Sequence, residues 1–385
     1  MKIVLLGFDF TCPNKGCEAL SYAFMNLLEK ILPKEKIEIY NITYKTTLGR
    51  IPEIYSNFNF INCRIHLRKP NYYLNAYSIM KNADFIFDIT YGDSFSDIYG
   101  KKWLIKTNIH KQLAIWSHNK FVMLPQTYGP FTNVLMRKWS LYLIRNADLV
   151  YSRDGYSIDY MRIIGKKDVD IVTDLAFALP YERGMYKLES KKIKVGLNPS
   201  SLLWEGGFTK ENQFGLTVDY QEYCRNLVQD LERSGQYEIH LISHVIEDTK
   251  KAPENDLRIC KILHEEFPNT IIAPIFSTPI EAKSYICHMD VFSGARMHAT
   301  IAAFSSGVAT IPFSYSRKFE GLYDSLGYSY VISGKKNTTE EAIKKTMKYI
   351  QNRDSLKIRA DKSMQDVYKK LTEFESEIKK LWTLK

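Results

Sequence analysis

The chain has 385 residues, 45% hydrophobic and 25% charged, and 53 Lys and Arg against 43 Asp and Glu give a net charge of +10. That balance excludes a disordered chain, and the length exceeds one ordinary core, so two domains are expected. The basic residues are scattered with no nucleic-acid-binding motif to organise them, which points the positive charge toward anionic metabolites or lipid headgroups and away from nucleic acid.

The first apolar run, residues 2–7, is short and soon followed by polar residues, so it reads as a strand and not as a leader. Helical periodicity follows over 18–31. Strands are expected at 37–42, 83–89, 121–124 and 149–152, with a helix at 134–146 before the last of them. Short buried strands alternating with helices imply a parallel sheet covered on both faces. After a charged linker at 181–192 a second series begins. It has strands at 193–197, 237–243, 270–273, 290–293 and 310–313, helices at 218–235, 256–267 and 280–287, and a lysine-rich helical end at 340–385. The expected fold is therefore α/β, with two Rossmann-like doubly wound domains facing a cleft. They span residues 1–185 and 190–340, and a helical segment, 341–385, packs on them.

Parallel sheets place their sites beyond the carboxyl ends of strands, which selects the segments to search. The richest is Ser293-Gly294-Ala295-Arg296-Met297-His298, where a strand meets a helix of small residues. Helix starts attract anions, Arg296 supplies a planar fork, and His298 can move a proton near neutral pH. Lys318, near Tyr315, adds a point charge. In the first half, Asn14, Gly16 and Glu18 follow the first strand; Gly92, Asp93 and Asp97 follow another; Ser152-Arg153-Asp154 closes a third. His244 ends a strand in the second half. Capping explains Asn14, Glu18, Asp93 and Asp97 about as well as ligand contact does. A surface Arg153 paired with Asp154 is the plain alternative to an anion clamp.

Six dispersed cysteines suggest free thiols in a reducing cytoplasm, with no metal site expected. The glycine fingerprint of a dinucleotide site is missing. No cofactor is expected. No apolar run reaches the roughly 20 residues that span a bilayer, so a soluble cytoplasmic protein is expected, with peripheral contact at the inner membrane face allowed.

Taken in order, Asn14-x-Gly16-x-Glu18-Ala19, Gly92-Asp93-Ser94-Phe95-Ser96-Asp97, Gly129-Pro130-Phe131, Ser152-Arg153-Asp154, His244, Gly294-x-Arg296-x-His298 and Tyr315-x-x-Lys318 resemble the polysaccharide pyruvyl transferase family. The resemblance runs from Met1 to about Ser333. It implies a GT-B-like pair of domains and transfer of pyruvate from phosphoenolpyruvate onto a sugar of a cell-surface polysaccharide or its lipid-linked precursor, forming a ketal. It further implies donor contacts from Arg153, Arg296, Lys318 and Gly294 in the second, donor-side domain and its partner, with His298 as acid/base. Asn14, Glu18, Asp93, Asp97 and His244 would face the acceptor. Cys17 and the lone Gly92 depart from the family pattern on the acceptor side. The rival readings are a glycosyltransferase using a nucleotide sugar and a non-catalytic carbohydrate-binding protein.

Overall fold

In a computed structural model the described residues are 1–32, 36–44, 47–65, 69–166, 168–247 and 254–383, without the side chains of Arg317, Lys318 and Thr383. The chain divides into two compact units. Unit 1 comprises Met1–Cys12, Leu20–Ala178 and Lys369–Lys385; unit 2 comprises Pro13–Ala19 and Leu179–Tyr368.

Unit 1 is built on strands β1 (Lys2–Leu6), β2 (Ile37–Thr43), β3 (Phe58–Arg64), β4 (Phe85–Asp88), β5 (Lys120–Gln126), β6 (Leu149–Ser152) and β7 (Asp170–Ile171). They form one parallel sheet in the order β3-β2-β1-β4-β5-β6-β7. Both central strands, KIVLL and FIFD, are almost wholly buried, as strands covered on two faces must be. The helices are α1 (Lys15–Ile31), α2 (Ile51–Ile54), α3 (Pro70–Lys81), α4 (Lys101–Trp116), α5 (Val134–Arg145) and α6 (Gly155–Ile164). Val4, Leu6, Ile86 and Met123 of the sheet form a single core with Ala76 and Met80 of α3, Leu113 of α4, Ile144 of α5 and Met161 of α6. Phe85 and Phe87 contribute to other contacts, both meeting Trp382 edge-to-face, with Phe87 also tilted against Phe24 of α1. β3 went unread in the sequence because its FNFINCR alternation leaves it a half-exposed edge.

Unit 2 repeats the plan with β8 (Ile193–Asn198), β9 (Tyr237–Leu241), β10 (Ile271–Ile272), β11 (Val291–Gly294), β12 (Ala309–Ser314) and β13 (Ile332–Ser333), all parallel, in the order β10-β9-β8-β11-β12-β13. Its helices are α7 (Ser201–Trp204), α8 (Tyr220–Ser234), α9 (Asp256–Glu266), α10 (Pro279–Ile286), α11 (Met297–Ser305), α12 (Arg317–Ser325) and α13 (Thr339–Gln351). Local chemistry sets their ends. Asp219 caps α8, which stops at left-handed Gly235, and Thr338 with Glu341 forms a capping box on α13. The lysine-rich end becomes a separate helix, α14 (Arg353–Thr383), whose last turns in unit 1 bury Phe374 against Tyr151. Among the described residues no helix is long and apolar enough to cross a membrane.

Candidate functional site

β11 delivers the chain to the carboxyl edge of the unit 2 sheet, with Gly294 paired between Asn198 and Pro312. Arg296 then takes extended dihedrals (φ −94°, ψ 119°) as the residue before α11, and its backbone N–H donates to Asn198 Oδ1 at 3.0 Å. The first N–H groups of α11 therefore start immediately after it, at the positive end of the helix.

The Arg296 guanidinium is buried and turns inward. Nη2 and Nε donate to the Asp256 carboxylate at 2.8 and 3.2 Å, Nη1 donates to Glu254 at 3.4 Å, and Nη2 reaches Ser201 Oγ at 3.4 Å. Burial works against its charge, but Asp256 and then Glu254 more than offset this, so the group holds its proton more firmly than usual. Burial also raises the Glu254 carboxyl despite the neighbouring Arg296. Asp256 is fully buried and ties several segments together. It accepts from Ser201 N (3.0 Å), Ser201 Oγ (3.1 Å) and Val245 N (3.0 Å) as well as from Arg296. An anion beside Arg296 thus meets a cation already balanced by carboxylates, and the first N–H groups of α11 become the larger attraction.

His298 sits in the first turn of α11, and a segment from the start of the chain lies against it. A Cβ on Gly16 would fall 2.3 Å from His298 Nδ1, so only glycine lets the backbone lie so close to the imidazole. That segment is pinned to the β9 loop. Asn14 bridges Val245, Lys15 N–H donates to the His244 carbonyl at 3.1 Å, and Ile246 N–H donates to Pro13 O at 3.1 Å. Asn14 Oδ1 accepts from Gly16 N at 2.9 Å, forming the turn that starts α1. Lys15 Nζ bonds buried Glu18 at 2.6 Å and the Ser277 carbonyl at 3.2 Å. Glu18 serves that ion pair.

His244 completes the cluster. Its side chain is buried, and neither ring nitrogen has a hydrogen-bond partner among the described residues. Burial first, then the charges of His298, Arg296 and Lys15, push its imidazole well below the usual range, so the ring is neutral. Buried polar atoms are rarely left without partners, so this ring has two nitrogens to offer a polar group. His240, in contrast, is fully engaged by Tyr285 and Glu238.

The structure thus brings Asn14, Glu18, His244, Gly294, Arg296 and His298 into unit 2. The Lys318 side chain lies outside the described residues; its backbone opens α12. Arg153, Asp93 and Asp97 belong to unit 1. Arg153 is buried, not a surface residue, and pairs with Asp174 at 2.7 Å instead of Asp154, with Nε donating to Thr127 Oγ1 at 3.0 Å. Asp154 is occupied as the cap of α6, accepting from Ser157 N at 2.7 Å. Asp97 accepts from Thr132 N (2.6 Å), Thr132 Oγ1 (2.9 Å) and Asn133 N (3.0 Å), which makes it a loop clamp. Asp93 accepts from the Tyr99 hydroxyl at 2.9 Å and adds its charge near Arg153. Sequence reasoning missed Lys15, Ser201, Glu254 and Asp256. Asp256 reads locally as an ordinary first-turn acid, and only the fold carries it 40 residues along the chain to Arg296.

Comparison with known proteins separates fold from family. Among solved structures, a UDP-N-acetylglucosamine 2-epimerase described as putative, from Listeria monocytogenes, superposes with a TM-score of 0.61 at 12% identity, covering 98% of this chain and 97% of the other. The UDP-GlcNAc 2-epimerase of Neisseria meningitidis, solved bound to UDP-GlcNAc, gives 0.60 at 9% identity, with 97% and 100% covered. HepE of Anabaena, in complex with UDP and glucose, gives 0.60 at 10% identity, with 100% and 99% covered. Such low identities establish the fold alone: two parallel-sheet α/β domains of the GT-B type. No curated protein matches the sequence. A family profile described as polysaccharide pyruvyl transferase matches residues 14–317, from the Asn14 turn through the Arg296 and His298 junction, and the chain belongs to that family of transferases.

Proposed function

We propose that the protein moves the pyruvyl group of phosphoenolpyruvate onto two hydroxyls of a sugar, in a cell-surface polysaccharide or its lipid-linked precursor. The observation that carries this reading is His298, at the α11 start, within electrostatic reach of His244, a neutral buried imidazole with no hydrogen-bond partner among the described residues. The donor's phosphate and carboxylate would meet the α11 N–H groups, with Arg296, Gly294 and Lys318 forming that side of the pocket. Arg153 is proposed as a further donor contact. Asn14, Glu18, Asp93, Asp97 and His244 are proposed on the acceptor side, Asp97 through the loop it clamps.

His298 would protonate the donor's methylene carbon, turning the enol carbon into an electrophile. One sugar hydroxyl adds there and loses its proton to His298. The C–O bond to phosphate then breaks with the electron pair leaving on phosphate, and the second hydroxyl adds to the resulting oxocarbenium carbon, passing its proton to the departing phosphate and closing the ketal. Positioned proton transfer of this kind contributes about 10² to 10⁴ in rate. Fixed cations and helix N–H groups stabilise the departing phosphate. The work would take place in the cytoplasm, at the inner face of the membrane, where activated sugar precursors are handled.

Carbon-13-labelled phosphoenolpyruvate, offered with nucleotide-linked and lipid-linked sugars, tests this directly. The expected result is phosphate release together with a new ketal methyl signal. Consumption of a UDP-sugar with phosphoenolpyruvate untouched would replace the reading by glycosyl transfer. That rival has its own support, because the HepE and epimerase structures hold UDP or UDP-GlcNAc.

A further inference from the structure

Three neighbouring helices on one side of the unit 1 sheet have a composition the transferase chemistry does not explain. α3 packs beside α4, and α4 beside α5, over the shared core. Their outer surface exposes large apolar side chains. Leu74 is 66% exposed, Trp116 55% and Leu135 71%, with Ile105, Val134 and Tyr142 also open. Between α3 and α4 runs an open groove of about 730 Å³, lined by Tyr73, Leu74, Tyr77, Leu113, Trp116 and His118. Isolated exposed leucines need no explanation, but a patch on adjacent helices does.

Charge gives the second half of the pattern. Neither residues 54–83 nor residues 98–147 contain a single Asp or Glu, while the latter stretch holds eight Lys and Arg. Lys101, Lys102 and Lys138 are exposed and make no ion pair among the described residues. The acids bounding the second stretch are engaged: Asp97 clamps the Thr132 loop, and Asp148 pairs with Lys120.

We infer that the α3–α4–α5 face docks on an anionic lipid bilayer, with Leu74, Trp116 and Leu135 entering the headgroup region and the unpaired lysines meeting lipid phosphates. Apolar residues rimmed by lysines and free of carboxylates are the combination that binds such surfaces. A nucleic acid would use the lysines but not the leucines, which offer no stacking plane. A second copy meeting this face through a two-fold axis would oppose like charges. The inference deepens the membrane-side location proposed above. Its failure is distinguishable, because pyruvyl transfer to a water-soluble acceptor needs no bilayer.

The test is sedimentation of the full chain with vesicles of phosphatidylcholine alone or mixed with phosphatidylglycerol. Binding is expected only to the mixed vesicles, weakening as salt rises, with a blue shift of Trp116 fluorescence that a Trp116→Phe variant lacks. The K101E/K102E/K138E and L74S/L135S variants should each bind at least about tenfold less. Their thermal melts should stay close to the parent's, since these side chains are exposed. The salt dependence of the unmodified chain provides a readout that requires no variant. Failure to bind phosphatidylglycerol vesicles at low salt, equal binding to neutral vesicles, or undiminished binding by both variants would overturn the proposal. So would a dimer in sedimentation velocity that L74S/L135S disperses, or tighter binding to single-stranded RNA than to vesicles.

Discussion

Each unit buries one arginine where a strand hands over to a helix, and each balances it with a buried aspartate, yet the two places are built differently. In unit 1, Arg153 follows β6, and Asp174 takes its Nη1 on one oxygen and the Ala176 N–H on the other. In unit 2, Arg296 follows β11, and Asp256 also holds Ser201 and the β9 loop that carries His244. Two imidazoles and the Asn14–Gly16 turn stand beside Arg296. A buried arginine at a strand end therefore comes in two settings. Arg153 has the Asp93 and Asp154 carboxylates and Tyr99 around it, whereas Arg296, in the proposed reaction centre, has two imidazoles.

Removing the imidazole should break this contrast most completely. His298→Ala is expected to lower phosphate release by about 10² to 10⁴ while leaving the melting temperature nearly unchanged. Near-normal turnover would move the acid/base role elsewhere. The aspartates come next. Asp174→Ala strands a buried guanidinium and should cost about 3–5 kcal/mol by denaturant unfolding. Asp256→Ala strands the Arg296 guanidinium together with the Ser201 and Val245 N–H groups and should likewise cost about 3–5 kcal/mol. It should in addition impair turnover in whatever protein remains folded. A cost near zero for Asp256→Ala would mean that its bonds to Arg296, Ser201 and Val245 add nothing.

A smaller and more selective effect is expected at Gly16. Alanine there would place a methyl 2.3 Å from His298 Nδ1, so the ring or the turn must shift. Gly16→Ala should lower kcat more than it alters stability, whereas a purely structural turn would show the reverse. Gly165, the left-handed end of α6 in unit 1, where an alanine would be strained, serves as the stability-only control.

The same contrast governs what could be read from sequence. The strand ends, the Arg296 and His298 junction and the α/β alternation were legible because each depends on local pattern: apolar runs, small residues opening a helix, a turn at Asn14. The roles of Asp174 and Asp256 were not, since a first-turn or loop acid looks the same whether or not an arginine lies across the fold. Arg153 illustrates the cost. Its neighbour Asp154 seemed the natural partner, but a cap position turns that carboxylate toward Ser157. α3 and α4 also escaped notice; buried Lys111 and His110 interrupt the apolar stripe of α4, which tertiary pairing alone makes tolerable.

Lysine sharpens the comparison further. Lys111 in unit 1 is buried against Asp88 at 3.2 Å and Thr90 Oγ1 at 2.7 Å. Lys283 in unit 2 is buried with the Leu179 carbonyl at 2.7 Å and the Tyr181 ring, and pairs with no carboxylate among the described residues. Burial lowers both ammonium groups; Asp88 offsets only part of the effect at Lys111, and Lys283 falls from 10.5 to about 7. Between those two values the unfolded chain holds a proton at Lys283 that the folded chain has released, so stability should rise with pH across that window. The slope from this one group is at most about 1.4 kcal/mol per pH unit. Lys283→Met should remove that rise, leaving a constant offset from the Leu179 carbonyl it no longer satisfies. Lys111→Met should instead destabilise by a similar amount at all three pH values below, because it leaves a buried carboxylate uncompensated. Urea unfolding at pH 7, 8 and 9 measures both, and an unchanged slope in Lys283→Met would show that Lys283 stays charged in the fold.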